Sequence, residues 1–335
     1  MKRRKLILKN FLSPGDIVML TAAVRDLHRH YPGQYLTDVR TPFPELWENN
    51  PYLTPLSDDD PEAEVIQCEY PLIHRSNGSP YHFIHGFEQF LSKTLDLQIQ
   101  PTEFKGDIHL SEDELASFEY LGEIEAVEKP FWLIVSGGKY DFTVKWWDAR
   151  RYQEVVDNLR GRVEFVQVGE MSHCHPPLNG VIDLRGQTSL RALIRLMHFA
   201  QGVLTPISLL MHLSAAVPVR RGAPPLRPCV VVAGGREPSQ WAAYGHHQFI
   251  HTIGQLPCCA QGGCWKARTV PIGDGESGDL PEHLCTNVVN DEGLFLPRCM
   301  HMITSAEVTR RIEDYFVGGI LRDDPRDNES IATEK

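Results

Sequence analysis

The chain has 335 residues, 42% apolar and 23% charged, which is a globular composition with room for two domains of ordinary size. Its 44 acidic and 33 basic residues leave a net charge of −11, which argues against a nucleic-acid binder. A phosphorylated small ligand stays open, because helix N-termini and one or two cations can hold a phosphate locally. Met1-Lys2-Arg3-Arg4-Lys5 has the charge of a signal-peptide start, but only Leu6-Ile7-Leu8 follows before Lys9. No run reaches the apolar length of a membrane span, so a soluble, cytoplasmic protein is expected.

In chain order, Lys5–Lys9 reads as a strand, and Pro14-Gly15 demands a turn. A helix begins near Asp16, with Ile17, Leu20, Val24 and Leu27 at helical spacing, and ends by Pro32-Gly33. Strand, turn and helix at a chain's start open a Rossmann-like unit with ligands expected at the turn; the plain alternative for Asp16 is a helix N-cap. Tyr35–Val39 and Glu64–Cys68 read as further strands, Phe43–Asn49 as a short helix, and Tyr81–Leu97 as a helix. In that last segment His82 and His85 suit packing or acceptor contact better than a metal pair. Leu110–Glu128 is acidic, helical in pattern and ends at Lys129-Pro130, as an interdomain connection would.

The pattern then restarts. Phe131–Val135 is an apolar strand running into Ser136-Gly137-Gly138-Lys139, which lacks the spacing of a P-loop. Lys145-Trp146-Trp147 precedes a helix from about Asp148 to Leu159, and Val163–Val168 is a strand ending at Gly169-Glu170. Thr188 is the expected cap of a helix that turns Leu190, Leu193, Ile194 and Met197 inward. Strand Gly202–Leu204 leads through Thr205-Pro206-Ile207-Ser208 to a helix carrying Met211 and His212, and Cys229–Ala233 is a buried strand before Gly234-Gly235-Arg236. Two such α/β units facing one another create a cleft, which is the default site.

Five of the eight cysteines fall between Gln255 and Ile303: Cys258, Cys259, Cys264, Cys285 and Cys299. Clustered thiols without secretory features read as a metal site before they read as disulfides. Four of the five are expected to hold one structural ion, iron or zinc, in a four-thiolate knuckle, with either Cys258 or Cys259 left over and pointing away. Buried free thiols and disulfides are the alternatives.

Ser13-Pro14-Gly15-Asp16, Asn50-Pro51, Lys145-Trp146-Trp147, Asp183-Leu184-Arg185-Gly186 and Met211-His212 through Pro218 together resemble glycosyltransferase family 9, the heptosyltransferases. The thiol cluster, with Cys264-Trp265 and Cys299 ahead of Ile303, is similar to the iron-finger of autotransporter heptosyltransferases. The resemblance implies a GT-B fold of two Rossmann-like domains. On that division residues 1–128 form the acceptor domain, 129–254 the nucleotide-sugar domain, 255–303 the Cys-rich insertion, 304–320 a C-terminal helix that can cross back onto the first domain, and 321–335 a disordered tail.

The implied activity is inverting transfer of a sugar, with ADP-heptose as the expected donor, onto a protein, glycan or small-metabolite hydroxyl. Asp16 would be the base, and Gly15, Lys145, Glu170, Ser208 and His212 would bind the donor. The family often carries Asp-Thr-Gly ahead of this histidine, where Ile207-Ser208-Leu209 stands here. That departure keeps open a non-catalytic scaffold, alongside a nucleotide-sugar epimerase. A homo-oligomer is compatible with all of these readings.

Overall fold

The computed structural model describes residues 3–116 and 130–321. The acidic connection therefore shows only its first turns, the short helix α3 (Glu112–Ala116), and the rest of it and the tail expected to be disordered lie outside the described residues.

The first half builds a three-stranded parallel sheet from β1 (Arg4–Lys9), β2 (Tyr35–Arg40) and β3 (Ala63–Gln67), in the order β2-β1-β3. Helix α1 (Pro14–His30) is buried on every face over Ile17–Leu27, more than its periodicity suggests. The reason is its position: it packs against its own sheet, against α2 (Ile84–Leu95), and against a helix of the second half. Inside this sandwich Arg25 forms a fork with Asp26 at 2.9 and 2.8 Å and donates to the carbonyls of Glu103 and Lys105. Glu88 on α2 is 1% exposed, no donor reaches either of its oxygens, and burial followed by the neighbouring Asp26 pushes its carboxyl up to about 9. It fits there as a neutral acid with its proton toward Asp26.

The second half is a six-stranded parallel sheet, β6-β5-β4-β7-β8-β9, from β4 (Phe131–Ile134), β5 (Glu164–Gln167), β6 (Ile182–Asp183), β7 (Gly202–Pro206), β8 (Cys229–Gly234) and β9 (Gln248–His251). This is a doubly wound order, with its switch point between β4 and β7. Helices α4 (Ala149–Asn158), α5 (Leu190–Phe199) and α6 (Leu209–Ala216) connect its strands. Beyond the sheet, a hairpin of β10 (Val288–Asp291) and β11 (Leu294–Pro297) carries the thiol region into the last helix.

Several local expectations shift. The helix expected from Tyr81 begins at Ile84, and Phe43–Asn49 reduces to a 3-10 turn at Pro44–Leu46. Asp148 caps α4 as its short side chain allows, but Ser189, not Thr188, caps α5, accepting from the Ala192 N–H. The C-terminal helix Ser305–Val317 does not cross to the first sheet. It lies on α4 and β8, where Val308, Ile312 and Phe316 join the core around Trp132 and Tyr152. The Tyr315 hydroxyl also bonds the backbone of Cys229, His246 and Gln248, and this ties the helix to the second sheet.

Candidate active site and thiol cluster

The turn after β1 places Asp16 in the first turn of α1. The N-cap position belongs to Ser13, so the capping reading of Asp16 fails. Its carboxylate instead accepts a 2.5 Å hydrogen bond from the Tyr70 hydroxyl. Burial raises the Asp16 pKa above the usual carboxylate range, while Tyr70 and the Lys145 ammonium oppose the rise. A carboxylate with raised basicity at a strand's carboxyl end is suited to receive a hydroxyl proton.

Across the cleft, α6 presents His212 to the same turn. A Cβ on Gly15 would stand 3.2 Å from the His212 ring, so glycine is what lets α1 and the imidazole approach. His212 Nδ1 shares a 2.8 Å hydrogen bond with the Tyr244 hydroxyl, and burial lowers its pKa to about 4, leaving it neutral. Lys145, at the end of a 3-10 turn before α4, sits 2.7 Å from the Glu237 carboxylate. Glu237 is also paired with Arg236, and these two cations hold it at about 2 in spite of its burial.

Asp16, Gly15, Lys145 and His212 thus converge from both halves. Ser208 opens the helix that carries His212, and its hydroxyl is occupied in capping α6 and in a 2.7 Å bond with Thr205. Glu170 does not join them: its side chain is 69% exposed and meets Ser172 and His173. Tyr70, Arg236, Glu237 and Tyr244 were not anticipated. Arg236 and Glu237 follow a strand end, the one signal available for them; Tyr70 belongs to no motif. Within the first half, Tyr70 also walls an open cavity of about 470 Å³, with Asn10, Phe11, Gln67 and His74 among its lining. His82 packs instead, with its Nδ1 accepting the Ile84 N–H and its ring against Phe104 and Tyr244.

Cys258, Cys259, Cys264, Cys285 and Cys299 all line one small cavity of about 10 Å³. Burial raises the thiol pKa values of Cys264, Cys285 and Cys299, the last to about 12, and the neighbouring thiols push the same way. The Cys259 thiol is engaged with the carbonyls of Thr252 and Leu256 at 3.5 and 3.4 Å, and the Cys285 thiol with that of Asn287 at 3.5 Å. Among the described residues no group of three or more Cys, His, Asp or Glu stands in coordinating geometry. The loop is also tied to the first half of the chain. Asn77 donates to the Gly263 carbonyl and accepts from the Gly263 N–H and the Trp265 indole, at 2.9, 2.9 and 3.1 Å.

No helix among the described residues is long and apolar enough to cross a membrane. No curated protein matches the sequence. Among solved structures the fold is similar to the bacterial iron-containing dodecameric glycosyltransferase TibC from enterotoxigenic E. coli H10407, at TM-score 0.63 and 15% identity over 95% of this chain and 77% of that one. E. coli ADP-heptose LPS heptosyltransferase II matches at TM-score 0.56 and 15% identity, over 94% of this chain and 99% of the other. A family 9 glycosyl transferase from Veillonella parvula DSM 2008 gives 0.57 and 14%, over 75% and 88%. At these identities the likeness is one of fold, and it identifies the two facing α/β units as GT-B. The family model for glycosyltransferase family 9 (heptosyltransferase) matches residues 72–261, more than half of the sequence and most of the cleft just described, so the chain belongs to glycosyltransferase family 9.

Proposed function

We propose that this glycosyltransferase transfers heptose from ADP-heptose to an acceptor hydroxyl with inversion. The convergence of Asp16 from the first half with Lys145 and His212 from the second carries the reading. The acceptor oxygen bonds to the anomeric carbon as the bond from that carbon to the phosphate oxygen breaks. The hydroxyl proton passes to Asp16, and the departing diphosphate keeps the electron pair. Lys145 and the first N–H groups of α6 balance the charge that develops there. Neutral His212 can add a hydrogen bond without adding charge. TibC has been seen with ADP-D-beta-D-heptose, which makes the adenine nucleotide the first donor to test.

The same reading keeps residues 1–128 as acceptor domain, 129–254 as donor domain, 255–303 as insertion and 304–320 as a closing helix. It places the protein in the cytoplasm, where thiols stay reduced. A homo-oligomer is part of it too, since TibC is dodecameric. One iron or zinc ion suits the thiol loop, because five cysteines, of which four would suffice, line one small space. Cys258, Cys264, Cys285 and Cys299 would hold the ion, with Cys259 as the residue left over. The ion would supply cross-linking of the loop and no chemistry of transfer.

Calorimetric titration with ADP, GDP, UDP and CDP, and with ADP-heptose, tests the donor. ADP is expected to bind, Lys145→Ala to weaken it, and Asp16→Ala to abolish transfer while leaving ADP affinity unchanged. Normal turnover in Asp16→Ala refutes the base. No binding of any nucleotide favours the scaffold reading, for which Ile207-Ser208-Leu209 is the motivating feature.

A further inference from the structure

Lys145 alone is a small positive charge for a diphosphate. A nucleoside diphosphate carries about three negative charges near neutral pH, and sites that release one without a metal ion meet them with several cations or backbone donors. Arg236 lies just past the carboxyl end of β8, on the edge where open α/β sheets bind ligands. Its guanidinium is set between the rings of Phe142 and Trp265, at 4.7 and 5.2 Å, and its Nε donates to the Lys266 carbonyl at 2.7 Å. That leaves the Nη end of the fork, which meets Glu237. Glu237 in turn holds Lys145 at 2.7 Å, and among the described residues its carboxylate takes these two cations and no backbone N–H.

The support for this arrangement is itself strained. Trp265 is a non-glycine residue at φ 55°, in the left-handed region, and is held there by its N–H to the Arg236 carbonyl at 3.0 Å and by its indole to Asn77. Strain kept beside a planar cation that lies against two rings, with its donor end at a sheet edge, suits a group that must present that end to a planar or tetrahedral anion.

We propose that Arg236 is a second cation of the donor's diphosphate site, and that Glu237 is a resident anion that holds Arg236 and Lys145 in place until the diphosphate displaces it. This rests on the donor reading above. The step is non-covalent: two ion pairs with a carboxylate are exchanged for two with phosphate oxygens, so the cations need not be reorganised when the ligand arrives. A purely structural ion triad would instead need Glu237 charged in every state.

The test is calorimetric titration of the full chain with ADP and with AMP, at one ionic strength, for the wild type and for Lys145→Ala, Arg236→Ala, Arg236→Lys and Glu237→Gln. Arg236→Ala is expected to weaken ADP about 10- to 100-fold and AMP much less, as fits the loss of one charge-assisted phosphate contact. Arg236→Lys, which keeps the charge and loses the stacked fork, should fall between, and serves if the alanine variant does not fold. Glu237→Gln should bind ADP as tightly as wild type or more tightly, with a lowered melting temperature. Equal loss of ADP and AMP in Arg236→Ala, or a tenfold weaker ADP in Glu237→Gln, overturns the proposal. ADP binding lost in Lys145→Ala but kept in Arg236→Ala refutes it alone, whereas a wild type that binds no nucleoside diphosphate sinks the donor reading with it.

Discussion

Glu88→Gln is the substitution whose consequence can be worked through most fully. Glu88 is buried beside Asp26 with its pKa raised from 4.5 to about 9. The folded state therefore keeps a proton that the unfolded state gives up near pH 4.5. Between those two pH values the unfolded chain binds fewer protons, so stability is present at low pH and is lost as pH rises toward the folded pKa. At 1.36 kcal/mol per unit, the three units from pH 5 to pH 8 cost about 4 kcal/mol, a substantial part of the 5–15 kcal/mol that holds an ordinary domain. Glutamine has nearly the same shape and no proton to lose. Urea unfolding of wild type and Glu88→Gln across that range should show the variant gaining steadily on the wild type as pH rises, because the difference cancels the titrating groups that Glu88 does not touch. A difference that stays flat with pH would mean that Glu88 is ionised in the folded protein, and the account of a neutral acid leaning on Asp26 would be wrong.

Tyr70→Phe removes the hydrogen bond that opposes the rise of the Asp16 pKa, so the acid limb of the kcat/KM profile should move to higher pH with ADP affinity unchanged; an unmoved limb separates Tyr70 from Asp16. Gly15→Ala should lower turnover about tenfold or more while leaving the melting temperature level or slightly raised, since alanine favours the helix but crowds a His212 ring tied to Tyr244. Full turnover would show that the ring can give way. Cys285→Ser and Cys299→Ser should each abolish metal content measured by elemental analysis and lower the melting temperature, while Cys259→Ser keeps both. Full metal in the first two variants refutes the knuckle.

The alternation of strands and helices was legible because buried parallel strands and one-faced helices write their periods plainly into residues such as Phe131–Ile134 and Ile194–Met197. The family's short motifs also led to Asp16, Lys145 and His212. What stayed hidden was partnership. Nothing in the neighbourhood of Tyr70 marks it as the residue that reaches Asp16, 54 positions away. Glu237 looked like one acid among many until the fold set it between two cations. Thr188 and Ser189 are both good caps one residue apart, and composition cannot choose between them. The final helix shows an apolar stripe at Val308, Ile312 and Phe316, but a stripe says that a surface will be covered and not which one. Glu170 follows a strand end as a ligand contact should, yet its side chain leans outward.

The Asn77 side chain has a mechanical consequence. A two-lobed transferase must let its spent nucleotide out, and on this flank the lobes are fastened by three bonds from one carboxamide to the thiol loop. Spreading the lobes there either snaps all three together or drags the loop, and with it Trp265 and the Arg236 it braces. Any opening of the lobes on this flank is thereby coupled to the thiol loop.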